Sequence, residues 1–437
     1  MEYRDIEFEA SRISIDTRTL RAGDVYIAIQ GEAQDGHNYV QAAKDKGAVA
    51  AIVSKKMPCD ILQIIVPDTT IALGEIAAQW RQQFSIPIIA ITGSVGKTTT
   101  RNMIAKTLIE AFGEEHVLVP QKNFNNHWGL PLVLCRLNSQ HKIAVLEMGM
   151  NHLEEIRYLM KIAQPTIGVI TNAGTNHIGL LGSQENIAKA KGEMFEELSK
   201  TGCAVINADD RFYDYWKNLL STQKMLSFGL QSSDITAKNI QANSFILVTP
   251  VGEIEIKRIL LGQHNILNAL AATAAVFSAG LNDLHIIKQG LEAIQPEHGR
   301  LEPIITSQGV IVLNDTYNGG ETSTLSALQV LSEYPMSTTG KKIAVIGDMA
   351  ELEDFTIPMH KKMGEHVSRF VPDIFIAFGP MMKYAYDNYS GKNKQHFVTH
   401  DEVAGYLKTI AKTDDVVLLK GARAMAMEKI FQALVCP

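Results

Sequence analysis

Residues 86–100 read IPIIAITGSVGKTTT, and this stretch decides how the rest of the chain is organised. Its first half is rich in isoleucine, which is typical of a buried strand. Gly93-Ser94-Val95-Gly96-Lys97-Thr98 follows at once, and apolar residues then recur at helical spacing from Met103. A strand, a glycine turn and a helix start surround an anion with backbone N–H groups and a helix dipole. The pattern predicts a phosphate-binding loop in which Lys97 contacts the terminal phosphates and Thr98 offers its hydroxyl to Mg²⁺.

The loop is shorter than the common G-x-x-x-x-G-K-[ST] form, because Ile91 rather than glycine stands five residues before Gly96. The alternative is a glycine turn that merely precedes a helix carrying a lysine. The strand before the loop, the helix after it and the three threonines that follow Lys97 favour a nucleotide site.

The size and charge of the chain limit what it can be. Its 437 residues exceed one ordinary hydrophobic core, which predicts two or three domains. Hydrophobic residues make up 46% and charged residues 20%, as in a globular protein. Because the net charge is −6, we expect no nucleic-acid partner, and any anionic substrate must meet a local cluster of basic residues.

The four cysteines stand far apart and form no C-x-x-C pair: Cys59, Cys135, Cys203 and Cys436. This spacing argues against a disulfide framework and a zinc site, so we expect a reduced, cytoplasmic setting. Residues 1–10 are charged and include no apolar signal segment. The longest apolar stretch, residues 269–281, is too short to span a bilayer, which predicts a buried helix and no membrane insertion.

Short apolar runs alternate with helical patterns, and they divide the chain into units at residues 1–84, 85–297 and 298–437. In the first unit the strands are predicted at 25–29, 49–53 and 62–66, and the helices at 39–46 and 69–83. In the middle unit the strands are predicted at 86–91, 143–148, 167–171 and 203–207, and a helix at 185–198. A β-hairpin region that includes Ile254, Ile256 and Ile259 is predicted between 228 and 261. In the third unit the strands are predicted at 310–313, 343–346, 374–378 and 416–419. The alternation predicts mostly parallel sheets covered by helices on both sides.

Candidate site residues in the middle unit follow its strands. Glu147 ends a buried strand, where a Mg²⁺-binding acid is expected after a phosphate loop. His177 could be a metal ligand, although a lone histidine is more often a structural hydrogen-bonding group. Lys191 lies on a helix whose lysines are expected to face solvent. Asn265 and Asn268 share one helical face and could contact an adenine, or could cap the helix.

Polar turns elsewhere allow two interpretations each. Residues 121–131, with three asparagines, predict a polar loop that could bind a substrate or simply form turns. Residues 16–18 and 35–37 favour a turn and an Asp N-cap over an anion site. In the third unit, polar residues follow three strands, and the carboxyl ends of parallel strands are where α/β sheets bind ligands. They lie at 314–318, 347–349 and 420–423.

Taken in order, these segments resemble the Mur ligase family of ATP-dependent amide-forming ligases over nearly the full chain. The matching motifs are Asp16-Thr17-Arg18, Asp35-Gly36-His37, residues 92–98, 123–131 and 147–149, His177, Lys191, residues 264–268, Gly299-Arg300, residues 315–318, Gly347-Asp348-Met349 with Glu351-Leu352, and residues 420–423. The N-terminal pattern and the Gly-Asp-Met-x-Glu-Leu stretch favour the member that adds the last amino-acid unit to a cell-wall precursor. The resemblance implies an α/β protein of three domains: a small N-terminal UDP-binding domain, a central ATPase-like domain and a C-terminal Rossmann-like domain.

The resemblance also implies roles for individual residues. The implied ATP-binding residues are Gly93, Ser94, Val95, Gly96, Lys97, Thr98, Thr99, Asn268, Arg300 and Asp315. The implied substrate-binding residues are Asp16, Thr17, Arg18, Asp35, Gly36, His37, Asn123, Asn126, Tyr317, Asn318, Lys420 and Arg423, of which Lys420 and Arg423 would hold the dipeptide carboxylate. The implied catalytic residues are Lys97, Lys191 and His177, and the metal ligands are Thr98, Glu147 and His177. Lys191 matches a position that is carbamylated in some members.

The implied reaction uses ATP and two Mg²⁺ ions to phosphorylate the carboxylate of a UDP-muramoyl-tripeptide, which the amine of D-alanyl-D-alanine then attacks. We expect a monomer whose domains close around the acyl phosphate. The chain departs from the family pattern where Asn314 replaces an acid, where Gly319-Gly320-Glu321 replaces Ala-Asn-Pro, and where Ala422 replaces serine. Two alternatives remain: a relative that joins another amino acid or scaffold, and a nucleotide-dependent switch protein without ligase activity.

Overall fold

The computed structural model of the chain describes residues 9–121, 123–258 and 260–435. Residues 1–8, Lys122, Ile259 and Cys436, on which parts of the sequence analysis rest, lie outside the described residues. The α/β fold with mostly parallel sheets is confirmed, and the described residues form four sheets. Among them no helix is both long enough and apolar enough to cross a bilayer.

The first sheet has four parallel strands in the order β1-β2-β3-β4. Its elements are β1 (Ile13–Ser14), β2 (Val25–Ile27), α1 (Val40–Asp45), β3 (Ala50–Val53), β4 (Leu62–Ile65) and α2 (Thr69–Arg81). The side chain of Asp68 accepts hydrogen bonds from the backbone N–H groups of Thr70 and Ile71, which fixes the start of α2. Strand β1 was not predicted, because two residues are too few to show a strand pattern.

The middle sheet has six parallel strands in the order β10-β9-β8-β5-β7-β6. Its elements are β5 (Ile88–Thr92), α3 (Lys97–Phe112), β6 (Val117–Leu118), α4 (Gly129–Leu134), β7 (Ile143–Glu147), α5 (Glu155–Ala163), β8 (Ile167–Ile170), α6 (Ile178–Leu181), α7 (Gln184–Glu196), β9 (Cys203–Asn207), α8 (Tyr213–Asn218) and β10 (Lys224–Phe228). Alternate residues of β5 enter opposite cores: Ile88 and Ala90 on one face, Ile89 and Ile91 on the other. Burial on both faces explains the continuous apolar run of the opening stretch.

A small antiparallel sheet follows β10 along the chain and confirms the predicted hairpin region. It contains β11 (Thr236–Lys238), β12 (Ser244–Thr249) and β13 (Gly252–Lys257), and it is followed by α9 (Gln263–Ser278) and α10 (Leu284–Glu292). Helix α9 is buried against the middle sheet and packs on α3. The apolar stretch at 269–281 is therefore a core helix, as predicted.

The third unit contains a six-stranded sheet in the order β14-β15-β19-β16-β17-β18, parallel except for β14. Its elements are β14 (Glu302–Ile305), β15 (Ile311–Asp315), α11 (Glu321–Glu333), β16 (Lys342–Gly347), α12 (Thr356–Phe370), β17 (Ile374–Phe378), α13 (Met382–Asn388), β18 (Lys394–Phe397), α14 (His400–Ile410), β19 (Val416–Lys420) and α15 (Glu428–Val435). The four predicted strands are present. The two edge strands were not predicted, because their residues are only partly buried and carry no clear apolar pattern.

Two local expectations are wrong. Residues 121–131 are not loop throughout, because α4 begins at Gly129 and includes Pro131 in its first turn, where proline is tolerated. The side chain of Asn126 accepts hydrogen bonds from the N–H groups of Trp128 and Gly129 and caps this helix. Lys191 does not face solvent either: it is 2% exposed, because α7 packs that face against the middle sheet.

Candidate functional site

A cavity of about 340 Å³ lies where the middle and third units meet. Its walls come from the loop after β5, the strand ends of β7 and β8, the first turns of α9, and the strand ends of β15 and β19. The volume is in the range of small-molecule sites. The predicted residues that line it are Ser94, Val95, Gly96, Lys97, Thr98, Thr99, Asn123, Glu147, His177, Asn268, Arg300, Asp315, Tyr317, Asn318 and Lys420.

The loop between β5 and α3 has the backbone geometry of a phosphate cradle. Gly93 and Gly96 adopt φ values of 151° and 86°, which side-chain-bearing residues rarely adopt. A Cβ on Gly93 would overlap the hydroxyl of Thr171, and one on Gly96 would overlap the amide of Asn268. Both glycines are therefore required by neighbours outside the loop.

Asn172 holds the loop in place, and the sequence analysis did not predict this. Its Oδ1 accepts a hydrogen bond from the N–H of Val95 at 3.0 Å, and its Nδ2 donates to the carbonyl of Val95 at 3.0 Å. Thr171 donates to the same carbonyl at 2.7 Å. No pattern in the sequence indicated this contact, because it depends on β8 lying next to β5 in the sheet.

Lys97 begins α3 and curls over the loop. Its Nζ donates to the carbonyl of Gly93 at 2.6 Å. Burial lowers the pKa of Lys97, and the nearby charge of Arg300 lowers it further, against the opposing effect of Glu147. A phosphate in the cradle would supply the negative charge that this buried ammonium lacks.

Glu147, Thr98 and Asn125 form an oxygen-rich group beside the loop. The Thr98 hydroxyl donates to Glu147 at 3.0 Å, and the amide of Asn125 donates to the other carboxylate oxygen at 2.9 Å. Arg101 lies 3.4 Å from Glu147, which is 3% exposed. Asn125 was not singled out among the three asparagines of its loop, because only the fold shows which one faces Glu147.

The third unit contributes Arg300 to the loop side of the cavity. Its Nη2 donates to the hydroxyl of Thr98 at 3.3 Å, and its Nε lies 2.9 Å from Glu297. The guanidinium stacks over the ring of Tyr317, with 4.2 Å from its carbon to the ring centroid. Arg300 therefore lies near the predicted phosphate position, although it belongs to a different unit.

Lys420 and Arg423 are not equivalent in the structure. The Nζ of Lys420 donates to Asp315 at 2.6 Å and to the carbonyl of Asn318 at 2.9 Å, and Lys420 is 2% exposed. Arg423 is mostly exposed and lies 3.3 Å from Glu428. Arg423 does not line the cavity.

His177 has a charged partner in the third unit, whereas Lys191 is buried without one among the described residues. The Nδ1 of His177 lies 2.7 Å from Oε2 of Glu351, a contact between the middle and third units. Lys191 has no hydrogen-bond or ion-pair partner among the residues that the structure describes. Burial, followed by the charge of Lys97, lowers the pKa of Lys191 well below its usual value, and Asp210 opposes this.

The first turns of α9 form part of the cavity wall. Asn268 accepts from Thr100 at 3.3 Å and donates to Asn265 at 2.9 Å, so its amide is already engaged. Burial lowers the pKa of His264 to about 4, which leaves its ring neutral at pH 7. Apolar groups complete this part of the wall: Phe228, Leu260, Leu267, Ala271 and Ile294.

The predicted residues of the first unit do not line this cavity. Arg18 is exposed and donates hydrogen bonds to both carboxylate oxygens of Asp16, while Lys46 donates to the carbonyl of Thr17. Asp35 accepts from the N–H and the ring of buried His37, as an N-cap does.

Gly36 approaches the backbone of the first sheet too closely for a side chain, since a Cβ would lie 2.6 Å from the carbonyl oxygen of Ile29. This explains the glycine without a ligand. The uridine-binding role of this unit stays a prediction.

The sequence matches three models of one family. Residues 9–81 match "Mur ligase family, catalytic domain", residues 91–276 match "Mur ligase middle domain", and residues 299–423 match "Mur ligase, glutamate ligase domain". The chain is 36% identical to the UDP-N-acetylmuramoyl-tripeptide--D-alanyl-D-alanine ligase of Haemophilus influenzae. It is also 36% identical to that of Escherichia coli, and each alignment covers 98% of this chain and 94% of the relative.

Solved structures agree with the sequence matches. The fold is similar to that of MurF from Acinetobacter baumannii, with a TM-score of 0.91, 33% identity and coverage of 97% of this chain and 93% of that one. It is also similar to MurF from Thermotoga maritima in complex with ADP, with a TM-score of 0.84, 26% identity and coverage of 98% of both chains. Since relatives at this identity cover nearly the whole chain, and since the phosphate loop and the opposing strand ends meet at one cavity, the chain belongs to the Mur ligase family.

Proposed function

We propose that the chain is an ATP-dependent ligase that joins D-alanyl-D-alanine to UDP-N-acetylmuramoyl-tripeptide. The observation that carries the proposal is the 36% identity over 98% of the chain to two enzymes named for that reaction. The reaction belongs in the cytoplasm, where ATP and UDP-linked precursors are supplied. We also propose domain boundaries at residues 84/85 and 297/298, which fall between the sheets. We propose in addition that the protein acts as a monomer.

The nucleotide phosphates belong in the cradle after β5. The N–H groups of Ser94 and Val95 donate to Asn172, so the phosphates are assigned to the N–H groups in the first turn of α3, which have no acceptor within the helix, and to Lys97, which begins that turn. Arg300 reaches the same place from the third unit, so both units hold the nucleotide. The neutral, mostly apolar wall beside α9 suits an adenine ring, with Asn268 at its edge.

The residues beside the loop fit one Mg²⁺ ion. Magnesium prefers oxygen ligands and in ATP sites is held by one or two carboxylates together with phosphate oxygens. Glu147 and Thr98 supply such oxygens next to the cradle, with Asn125 orienting the carboxylate. When bound, the ion spreads the charge of the transferring phosphate. We propose His177 for a second ion, which requires its ring to leave Glu351.

The chemistry follows from the charges. The tripeptide carboxylate is a poor electrophile, so its oxygen first attacks the γ-phosphorus of ATP and ADP leaves. Lys97 stabilises the charge that develops on the phosphate oxygens. The dipeptide amine then attacks the acyl carbon, the C–O bond to phosphate breaks, and the amine loses a proton as the amide forms. Closure of the third unit over the middle unit keeps water from the acyl phosphate.

The resemblance implied that Lys420 holds the dipeptide carboxylate, and we now propose a different role for it. Because this lysine is buried and paired with Asp315, we propose that it sets the position of the loop after β15 and presents Asn318 to the substrate. Arg423, which is exposed at the same edge, is the group that we propose for the dipeptide carboxylate. Tyr317 and Asn318 line the cavity from the third unit, and Asn123 lines it from the middle unit, so we propose all three for contact with the substrate. The uridine end of the substrate is assigned to the first unit.

Lys191 fits the proposed carbamylation. Burial lowers the pKa of Lys191 and so favours its neutral amine, which is the form that reacts with carbon dioxide. The carbamate would be an anion within the field of Lys97. Mass spectrometry of the intact protein is not suited to this labile group, so the test is activity after depletion and return of bicarbonate, with Lys191→Arg as the unreactive control.

The proposal is tested with purified protein, ATP, Mg²⁺, the UDP-linked tripeptide and D-alanyl-D-alanine. We expect phosphate release that requires every component. We also expect a product whose mass is that of the UDP-linked tripeptide plus the dipeptide minus one water. Equal release with single D-alanine would indicate a relative that joins another amino acid. ATP turnover that no amine changes would indicate a nucleotide-dependent switch protein, and either result would overturn the proposal.

A further inference from the structure

Glu321 begins α11 and is buried at the junction of the middle and third units, with 5% of its surface exposed. One carboxylate oxygen accepts a hydrogen bond from the hydroxyl of Thr175 at 3.0 Å, across the junction. The other lies 2.8 Å from Lys362 and 3.0 Å from His366, both on α12 of its own unit. Burial raises the pKa of Glu321, but its hydrogen bonds to Lys362 and His366 outweigh this, and the pKa is lowered.

The segments that flank Thr175 and Glu321 pack closely against each other. A Cβ on Gly174 would lie only 2.5 Å from the hydroxyl of Thr322, and one on Gly320 would lie 3.0 Å from Asn176. The N–H of Thr175 donates to the same Thr322 hydroxyl at 3.4 Å. Residues 174–176 and 320–322 therefore form a seam between the two units.

The seam is adjacent in sequence to groups of the proposed active site on both sides. In the middle unit, Asn176 and His177 line the cavity directly after Thr175. In the third unit, Asn318 lines it just before the seam and Ser323 just after it. A change in the spacing across the seam thus changes the distance between the loop after β8 and the strand end of β15.

The carboxylate at this position departs from the family pattern, which has proline there. Proline has no side-chain acceptor, so it could pair with neither Thr175 nor the two α12 side chains, Lys362 and His366. Lys362 and His366 are four residues apart and share one face of α12, which directs both toward one anion. Glu321 on α11 therefore faces one ammonium and one imidazole of α12.

We propose that Glu321 is a positioning residue that links α12 to the loop after β8 and holds the two units at the spacing seen across the seam during acyl transfer. This inference rests on the proposed function. It concerns a residue that contacts other side chains rather than substrate, so its effect is expected on turnover rather than on nucleotide binding.

Four variants test this role. Thr175→Val removes only the hydroxyl that crosses the seam, while Thr175→Ser keeps it. Glu321→Gln removes the charge, and Glu321→Pro restores the family residue at the first helical position, where proline is tolerated and where Gly320 already has extended backbone. Thr409→Val, on α14 and away from the seam, is the matched control.

For Thr175→Val and both Glu321 variants we expect kcat to fall by about tenfold to a hundredfold, because small misplacements of reacting groups have effects of this size. The Kd for ATP should stay within about twofold, and Thr175→Ser and Thr409→Val should retain wild-type kcat. The double variant Thr175→Val with Glu321→Pro should be no slower than Glu321→Pro alone, because proline already lacks the acceptor for the Thr175 hydroxyl.

Small-angle scattering with an ATP analogue provides a readout independent of turnover. The wild-type protein should compact on binding the analogue, and Thr175→Val should compact less. Independent, multiplicative losses in the double variant, or normal turnover and compaction in Thr175→Val, would overturn the inference. Failure of the wild-type protein to form any amide would instead overturn the proposed function. The comparison of compaction between the wild-type protein and Thr175→Val would then still test whether the seam holds the two units together.

Discussion

Gly96→Ala tests the link between the phosphate loop and α9. Gly96 has φ of 86°, and a Cβ there would overlap Oδ1 of Asn268. The left-handed backbone costs an alanine about 1–2 kcal/mol. To make room, Asn268 must rotate and weaken its hydrogen bonds to Thr100 and Asn265, at about 1 kcal/mol each. We therefore expect a loss of about 3–4 kcal/mol in the free energy of unfolding.

Gly280→Ala separates the cost of the left-handed backbone from the cost of the overlap with Asn268. Gly280 has φ of 91° and no atom within 4 Å of a built Cβ, so this variant carries the backbone cost alone. Its loss should be about 1–2 kcal/mol. Both variants are compared by urea denaturation followed by tryptophan fluorescence, and their ATP affinity is measured by calorimetry.

Only Gly96→Ala should weaken ATP binding, because only it moves the cradle. In the double variant Gly96→Ala with Asn268→Ala the overlap is removed, so the combined loss of stability should be smaller than the sum of the two single losses. The close contact between the loop and α9 would be refuted if Gly96→Ala and Gly280→Ala lost the same free energy of unfolding and Gly96→Ala kept its affinity for ATP.

Three further results are expected. Lys97→Ala should lower the rate of amide formation by at least about a hundredfold with an unchanged melting temperature, since it removes a donor to the developing phosphate charge, and near-normal product yield would refute this role. Glu147→Gln should raise the Mg²⁺ concentration for half-maximal phosphate release, and an unchanged titration would count against its ligand role. Hydrogen bonds from His37 lower the pKa of Asp35 to about 2 from 3.8, so this carboxylate stabilises the fold above about pH 4, and the stabilisation is lost as the pH falls toward 2. Melting temperatures of Asp35→Asn should therefore fall less than wild-type values over that pH range, and parallel curves would contradict the assignment.

The sequence was sufficient for features that depend on local pattern. The apolar run before Gly93 predicted a central strand, because a strand buried on both faces must be apolar throughout. The spacing of Gly93, Gly96 and Lys97 predicted the cradle, since positive φ requires glycine at those positions. Short or partly exposed strands at sheet edges were missed, because they carry no such pattern.

The tertiary structure alone decided which side chains meet. No spacing in the chain indicated that Asn125 rather than Asn126 would face Glu147, or that Asn172 would hold the loop. Lys191 looked like a surface lysine, and only the packing of α7 shows it buried and without a partner among the described residues. Local conformation depends on neighbours in sequence, whereas these contacts join residues tens to hundreds of positions apart, and their geometry is fixed only when strands take their places in a sheet.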